Sequence, residues 1–150
     1  MSKGGWRIAK DLIDRIEELV PKGSKILEFG SGQGTKSLVD VGYNMFSVEE
    51  NARFVGLFHD QYCHAEIKDR WYDLGKVNEF LKDKSFYAIL IDGPAHGERL
   101  KILDSGLDFD NFKIIIVDDI ERKEDAELFS ILSKDTQCKQ TETYGIIFND

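Results

Sequence analysis

The stretch Lys25-Ile26-Leu27-Glu28-Phe29-Gly30-Ser31-Gly32-Gln33-Gly34 decides the fold. Its first half is a short apolar run that reads as a buried strand. Its second half is a glycine-rich turn. The residues from Thr35 to Val41 then carry a helical pattern. Upstream, Ile8, Leu12, Ile13, Ile16, Leu19 and Val20 recur at three- and four-residue steps and predict a helix over 6–20, stopped by Pro21 and Gly23. Downstream the alternation continues. Strands are expected over 44–49, 62–67, 87–92 and 113–118, and helices over 51–59, 73–82, 97–107 and 121–133. The segment 137–149, rich in Thr, Tyr, Ile and Phe around Gly145, reads as a closing hairpin. The run Lys113-Ile114-Ile115-Ile116-Val117-Asp118 is β-branched on both faces, as a central parallel strand covered on both sides should be. Strands alternating with helices mean an α/β fold with a mostly parallel, twisted, seven-stranded sheet, helices on both faces and a C-terminal antiparallel hairpin.

Composition limits the function. The 150 residues carry 20 Lys and Arg against 28 Asp and Glu, a formal charge of −8, with 41% hydrophobic and 32% charged residues. This is the balance of one globular domain over 1–150, too apolar for disorder. No apolar stretch approaches the roughly 18 to 20 residues that span a bilayer. The N-terminus lacks the apolar core of a secretion signal. An acidic chain without a basic cluster has no extended nucleic-acid surface. Two distant cysteines, Cys63 and Cys138, fit a reduced, cytoplasmic protein.

In doubly wound sheets, ligands bind outside the carboxyl ends of the strands. Here those ends carry the Gly30 turn, Glu49-Glu50, Asp92 and Asp118-Asp119. A dehydrogenase turn would read G-x-G-x-x-G, but the third glycine, Gly34, comes one residue early. Glu28 would also repel a pyrophosphate and would suit an ammonium group.

Glu28-Phe29-Gly30-Ser31-Gly32-Gln33-Gly34 resembles motif I of the class I S-adenosylmethionine methyltransferases, whose pattern is close to E-x-G-x-G-x-G. The resemblance implies a Rossmann-like doubly wound fold over nearly the whole chain. It implies cofactor contacts at Glu28, Gly30, Ser31, Gly32, Gly34 and Thr35, and at Ala65 and Asp92. Glu49, after the next strand, stands where that family binds both ribose hydroxyls. One carboxylate can accept from both. Glu50 is expected to face solvent. His64 and Tyr72 are candidate adenine neighbours, with surface exposure and aromatic packing as the plain alternatives.

Three carboxylates at neighbouring strand ends repel unless separated, protonated or bridged by a cation. Asp92, Asp118 and Asp119 are therefore candidate ligands for Mg²⁺, since oxygen donors without Cys or His disfavour zinc. Their spacing is similar to that of metal-dependent O-methyltransferases. Ile91-Asp92-Gly93-Pro94-x-x-Gly97-x-Arg99 looks like a segment of polysaccharide methyltransferases. The lysine base of the catechol enzymes is replaced by Ala95, so the candidate catalytic residues are His96 and Asp92. The alternative is that Asp92 meets the cofactor while Asp118 or Asp119 caps the helix near Glu121.

The expected activity is methyl transfer from S-adenosylmethionine, with Mg²⁺ as a further candidate cofactor, to a hydroxyl of a small-molecule or saccharide acceptor. N-methyl transfer and a non-catalytic cofactor-binding subunit are the rival readings. No separate cap domain is expected. The open cleft would suit a large substrate or a homodimer partner completing the site. Trp6 is a candidate for stacking on the acceptor or for packing.

Overall fold

The computed structural model describes residues 10–149. The order is α1 (Lys10–Leu19), β1 (Lys25–Phe29), α2 (Gln33–Val41), β2 (Asn44–Glu49), β3 (Tyr62–His64), β4 (Ile67–Lys68), β5 (Trp71–Tyr72), α3 (Leu74–Leu81), β6 (Ala88–Ile91), β7 (Ile114–Asp118), α4 (Lys123–Leu132), β8 (Gln137–Gln140) and β9 (Tyr144–Phe148). Two short 3₁₀ helices, Arg99–Asp104 and Phe109–Asn111, lie between β6 and β7. Seven strands form one sheet in the order β3-β2-β1-β6-β7-β9-β8. The first five run parallel, and β9 and β8 close the sheet antiparallel. The strand order reverses between β1 and β6, which opens a crevice at their carboxyl ends.

Successive residues of a strand point to opposite faces, so each central strand feeds two cores. Ile26, Leu90, Ile116 and Ile146 pack under α1 and α2 with Leu12, Ile16 and Leu38. Leu27, Ile89, Ile115 and Ile147 pack on the other face with Val77 of α3 and Leu128 and Phe129 of α4. This double burial is why the strands read as continuous apolar runs. Gly145 in β9 exists for packing. A Cβ there would run into the ring of Phe129. Gly145→Ala should cost about 1–3 kcal/mol of stability through overpacking. Adding Phe129→Leu should restore part of it in a denaturant double-mutant cycle. Additive losses would show that the two residues do not share that space.

Three expected elements differ. Residues 51–59 form no helix, because the Asn51 side chain accepts from the Arg53 N–H at 3.0 Å and Gly56 takes a left-handed φ of +76°. A side chain that bonds its own backbone competes with the helix ladder. The helix expected over 97–107 is the 3₁₀ turn Arg99–Asp104. Gly97 lies so close to the Arg70 carbonyl that a Cβ would sit 2.6 Å from it, and the Leu100 N–H is claimed by Glu124 at 3.2 Å. The third strand ends at His64, and Ile67–Lys68 folds instead on Trp71–Tyr72 through the left-handed Asp69 and Arg70. The expected helix over 6–20 is seen as α1, and its first turn with Trp6 lies outside the described residues.

Candidate active site

The glycine turn closes tightly against the neighbouring strand. Gly30 has φ +94°, and a Cβ there would sit 2.5 Å from the Asp92 carbonyl oxygen. Any side chain would therefore be both strained and blocked. Gly93 leaves no more room, because a Cβ on it would meet the Tyr72 hydroxyl and lie 3.0 Å from Gly30 Cα. The α2 helix begins at once, and the Gly32 N–H donates to Thr35 Oγ1 at 3.0 Å. Glu28, Gly30, Gly32, Gly34, Thr35, Leu90 and Asp92 line one small recess at the switch point. Six of these seven, all but Leu90, are residues singled out from the sequence.

Glu28 is buried and receives two chains of hydroxyls. Thr35 Oγ1 and Ser47 Oγ each donate to Glu28 Oε1 at 2.6 Å. His59 Nδ1 accepts the Gln61 N–H at 2.9 Å, so its Nε2 carries the proton and donates to Ser47 Oγ at 2.7 Å. On the other side Ser31 Oγ bridges Thr35 Oγ1 at 3.1 Å and the Tyr62 hydroxyl at 2.7 Å. Burial pushes the Glu28 carboxyl up to about 7, against the two hydroxyl donors that favour its charge. Burial likewise drives the His59 imidazole down to about 4, which keeps it neutral. Sequence reading missed Ser47 and His59. Nothing in their local pattern separates them from core and loop residues.

Glu49 ends β2 with both carboxylate oxygens engaged. Oε1 accepts the Ser31 N–H and Oε2 the Asn51 N–H, each at 2.7 Å. Burial raises its pKa, and the two N–H donors oppose that rise. Each oxygen keeps a further lone pair. The Glu49 carbonyl accepts the N–H of the fully buried Ala65 at 3.0 Å, which places Ala65 beside this strand end. His64 is half-buried with Nε2 3.1 Å from the Glu50 carbonyl oxygen. Tyr72 is core, packed on Phe29 and Trp71 with ring centroids 5.5 and 5.0 Å away.

The aspartates of the next two strands do converge. One carboxylate oxygen from each of Asp92, Asp118 and Asp119 lies within 4.8 Å of the others. Asp92 Oδ1 is buried and has no hydrogen-bond partner among the described residues. Burial, then the Asp118 charge, raises the Asp92 pKa well above the carboxylate range, and burial pushes Asp118 up to about 7. Asp119 takes a left-handed φ of +60°, a costly conformation for a non-glycine residue. Neither aspartate caps α4, whose N-cap position is Arg122 and has no side-chain cap. Asp118 Oδ1 accepts the Asp119 N–H at 2.9 Å instead.

Among them stands Arg99, 2% exposed. Its Nη1 lies 3.2 Å from Asp119 Oδ2, 3.3 Å from Asp125 Oδ1 and 3.9 Å from Asp92 Oδ1, and its Nη2 donates to the Asp92 carbonyl at 3.2 Å. The guanidinium thus ties the ends of β6 and β7 to α4. Arg99 was visible in the sequence only as the last residue of a resembling segment, and Asp125 only as one acid in a helix's first turn.

His96 lies on the loop after β6 with its side chain 87% exposed. The His96 N–H donates to Glu50 Oε2 at 3.0 Å, and Nδ1 lies 3.3 Å from Glu50 Oε1. Glu50 is therefore not a free solvent-facing acid. Its side chain is 13% exposed and anchors the loop across from β6. A carboxylate can only accept, so Nδ1 carries the proton and Nε2 is the basic nitrogen.

Seven strands with a reversed order, and a glycine turn at the switch point, define a doubly wound α/β fold. Solved structures narrow that class to the Rossmann-like methyltransferase fold. The MycE methyltransferase of the mycinamycin biosynthetic pathway, in complex with Mg and SAH, superposes with a TM-score of 0.59 at 10% identity over 93% of this chain. This chain spans 45% of that one. The C-terminal domain of precorrin-6Y C5,15-methyltransferase from Rhodobacter capsulatus superposes with a TM-score of 0.54 at 13% identity, over 94% of this chain and 88% of that one. No protein-family model and no curated protein sequence matches the chain.

Proposed function

We propose that the chain is an S-adenosylmethionine-dependent methyltransferase acting on a hydroxyl oxygen of a sugar-like or small-molecule acceptor. The carrying observation is the juxtaposition, at adjacent strand ends, of the Glu28–Gly34 recess, the Glu49 carboxylate and the three-aspartate cluster. The residues fit the cofactor, since bare glycine backbone lines the recess and Glu49 keeps lone pairs for a ribose diol. They also fit a divalent ion, since three carboxylates converge and the buried Asp92 Oδ1 has no hydrogen-bond partner among the described residues. MycE is described with Mg and SAH, which supports both assignments.

S-adenosylmethionine supplies an electrophilic methyl group on a sulfonium. Gly30, Ser31, Gly32, Gly34 and Thr35 would form the wall of its methionine end, with Glu28 beside them. Glu49 would accept from the ribose, and Ala65 would border the adenine. Asp92, Asp118 and Asp119 would hold Mg²⁺, and the chemistry that ion would supply there is a lowered pKa for the acceptor hydroxyl. His96 Nε2 takes the acceptor proton, with Glu50 fixing the ring as a general base requires. Holding acceptor and cofactor in line supplies much of the rate. The absence of an Asn/Asp-Pro-Pro-Tyr loop, with Asp92-Gly93-Pro94-Ala95 in its place, favours oxygen over nitrogen as the acceptor atom. We place the protein in the cytoplasm, because Cys63 and Cys138 are free thiols.

The test is calorimetric binding of S-adenosylhomocysteine, followed by a methyl-transfer screen of hydroxylated sugars, phenols and nucleosides with Mg²⁺ or EDTA. Binding together with Mg²⁺-dependent transfer to oxygen is expected. A wild type that binds no cofactor ends the methyltransferase reading, and full turnover in EDTA removes the metal from it.

A further inference from the structure

Asp125, in the first turn of α4, is fully buried, which is unusual for an acid on a helix near the surface. Its Oδ1 lies 3.3 Å from Arg99 Nη1 and its Oδ2 3.2 Å from Arg122 Nε. A buried ion pair is weak evidence for a stabilising purpose, because desolvation offsets most of the attraction. The geometry around Arg99 gives another purpose. One Nη1 faces three carboxylates, at 3.2 Å for Asp119, 3.3 Å for Asp125 and 3.9 Å for Asp92. Asp92 is the one left out, and its buried Oδ1 has no hydrogen-bond partner among the described residues. Less than an ångström of movement would bring the guanidinium onto that oxygen. What opposes the movement is the pull of Asp119 and of the fully buried Asp125 on the same nitrogen.

We propose that Asp125 is a positioning residue, which draws Arg99 toward α4 and so keeps Asp92 Oδ1 free to face a cationic group at the active-site edge. The inference rests on the methyltransferase reading. That cationic group is either a divalent ion or the ammonium of the cofactor, and both present the positive charge that a buried carboxylate oxygen without a hydrogen-bond partner needs.

Calorimetry with Mn²⁺ and with S-adenosylhomocysteine tests it on the full chain. Asp125→Asn keeps the side chain's shape and removes its charge. It should weaken the probe that Asp92 faces by about tenfold, as loss of one charge-assisted contact does, and leave the other within about twofold. Loss for Mn²⁺ identifies the divalent ion, and loss for S-adenosylhomocysteine the ammonium. Asp125→Glu should retain wild-type affinity. In an Asp92→Asn background, Asp125→Asn should cost nothing further, a coupling that a merely structural role would not produce. If Asp125→Asn does not fold, Arg99→Lys, which cannot span the same carboxylates, carries the same comparison. Unchanged affinity for both probes, or an equal loss in the Asp92→Asn background, overturns the positioning role alone. A wild type that binds neither probe overturns the methyltransferase reading, and the positioning role with it.

Discussion

Glu49→Ala should weaken binding of S-adenosylhomocysteine by about 10- to 100-fold, the range expected for losing charge-assisted hydrogen bonds worth roughly 1.5–3 kcal/mol. Two losses combine. The first is the carboxylate proposed to accept the ribose diol. The second is the anchor of the glycine turn, because Glu49 Oε1 holds the Ser31 N–H at 2.7 Å and Oε2 holds the Asn51 N–H at 2.7 Å. Glu49→Gln keeps one acceptor oxygen and should fall between wild type and alanine. Calorimetry at a fixed pH reads all three proteins. Unchanged affinity in the alanine variant would move the ribose contact to another residue.

Stability should fall as the pH rises through neutrality, and Glu28 should be one cause. Its carboxyl sits at about 7 in the folded chain against 4.5 as the ordinary value, chiefly because it is buried. The folded state therefore binds the Glu28 proton more tightly than the unfolded state does. That contribution is fully present below about pH 4.5 and is lost as the pH climbs through about 7. At about 1.4 kcal/mol per pH unit, the full loss is roughly 3 kcal/mol. Asp118 at about 7 and Asp125 at about 6 titrate in the same window, so the wild-type curve alone does not isolate Glu28. Glu28→Gln removes its share and keeps hydrogen-bonding capacity for Thr35 and Ser47. Denaturant melts from pH 5 to 8 should show the wild type losing more stability than the variant by most of that amount. Parallel curves would mean that Glu28 does not titrate there.

Much of the fold was legible because the central strands carry their own signature. Residues such as Ile89, Leu90, Ile114 and Ile115 are apolar at consecutive positions, and consecutive burial occurs only where both faces of a sheet are covered. The turn at Gly30–Gly34 was legible for a similar local reason, since the backbone needs positive φ at Gly30 and clearance beside Asp92. The failures were also local conflicts. Asn51 and Gly56 broke a helix that hydrophobic spacing allowed, and Gly97 sat against the Arg70 carbonyl where a helix was expected.

The sequence by itself determined the alternation of strands and helices, the hairpin, and the set of residues at the strand ends, because periodicity and turn chemistry act within a few residues. Only the tertiary structure decided how those ends are wired. It brought Asp92 beside Asp118 and Asp119, pairing β6 with β7 in register, and it placed Glu50 against His96 across the intervening strand. It also buried Arg99 among three carboxyl groups and ran Ser47 and His59 into Glu28. A charge in a sequence carries no sign of its burial. Whether an aspartate is a solvated surface acid, a cap or a free oxygen at a site depends on the distance to its counter-charge. That distance is set by strands and helices far apart in the chain.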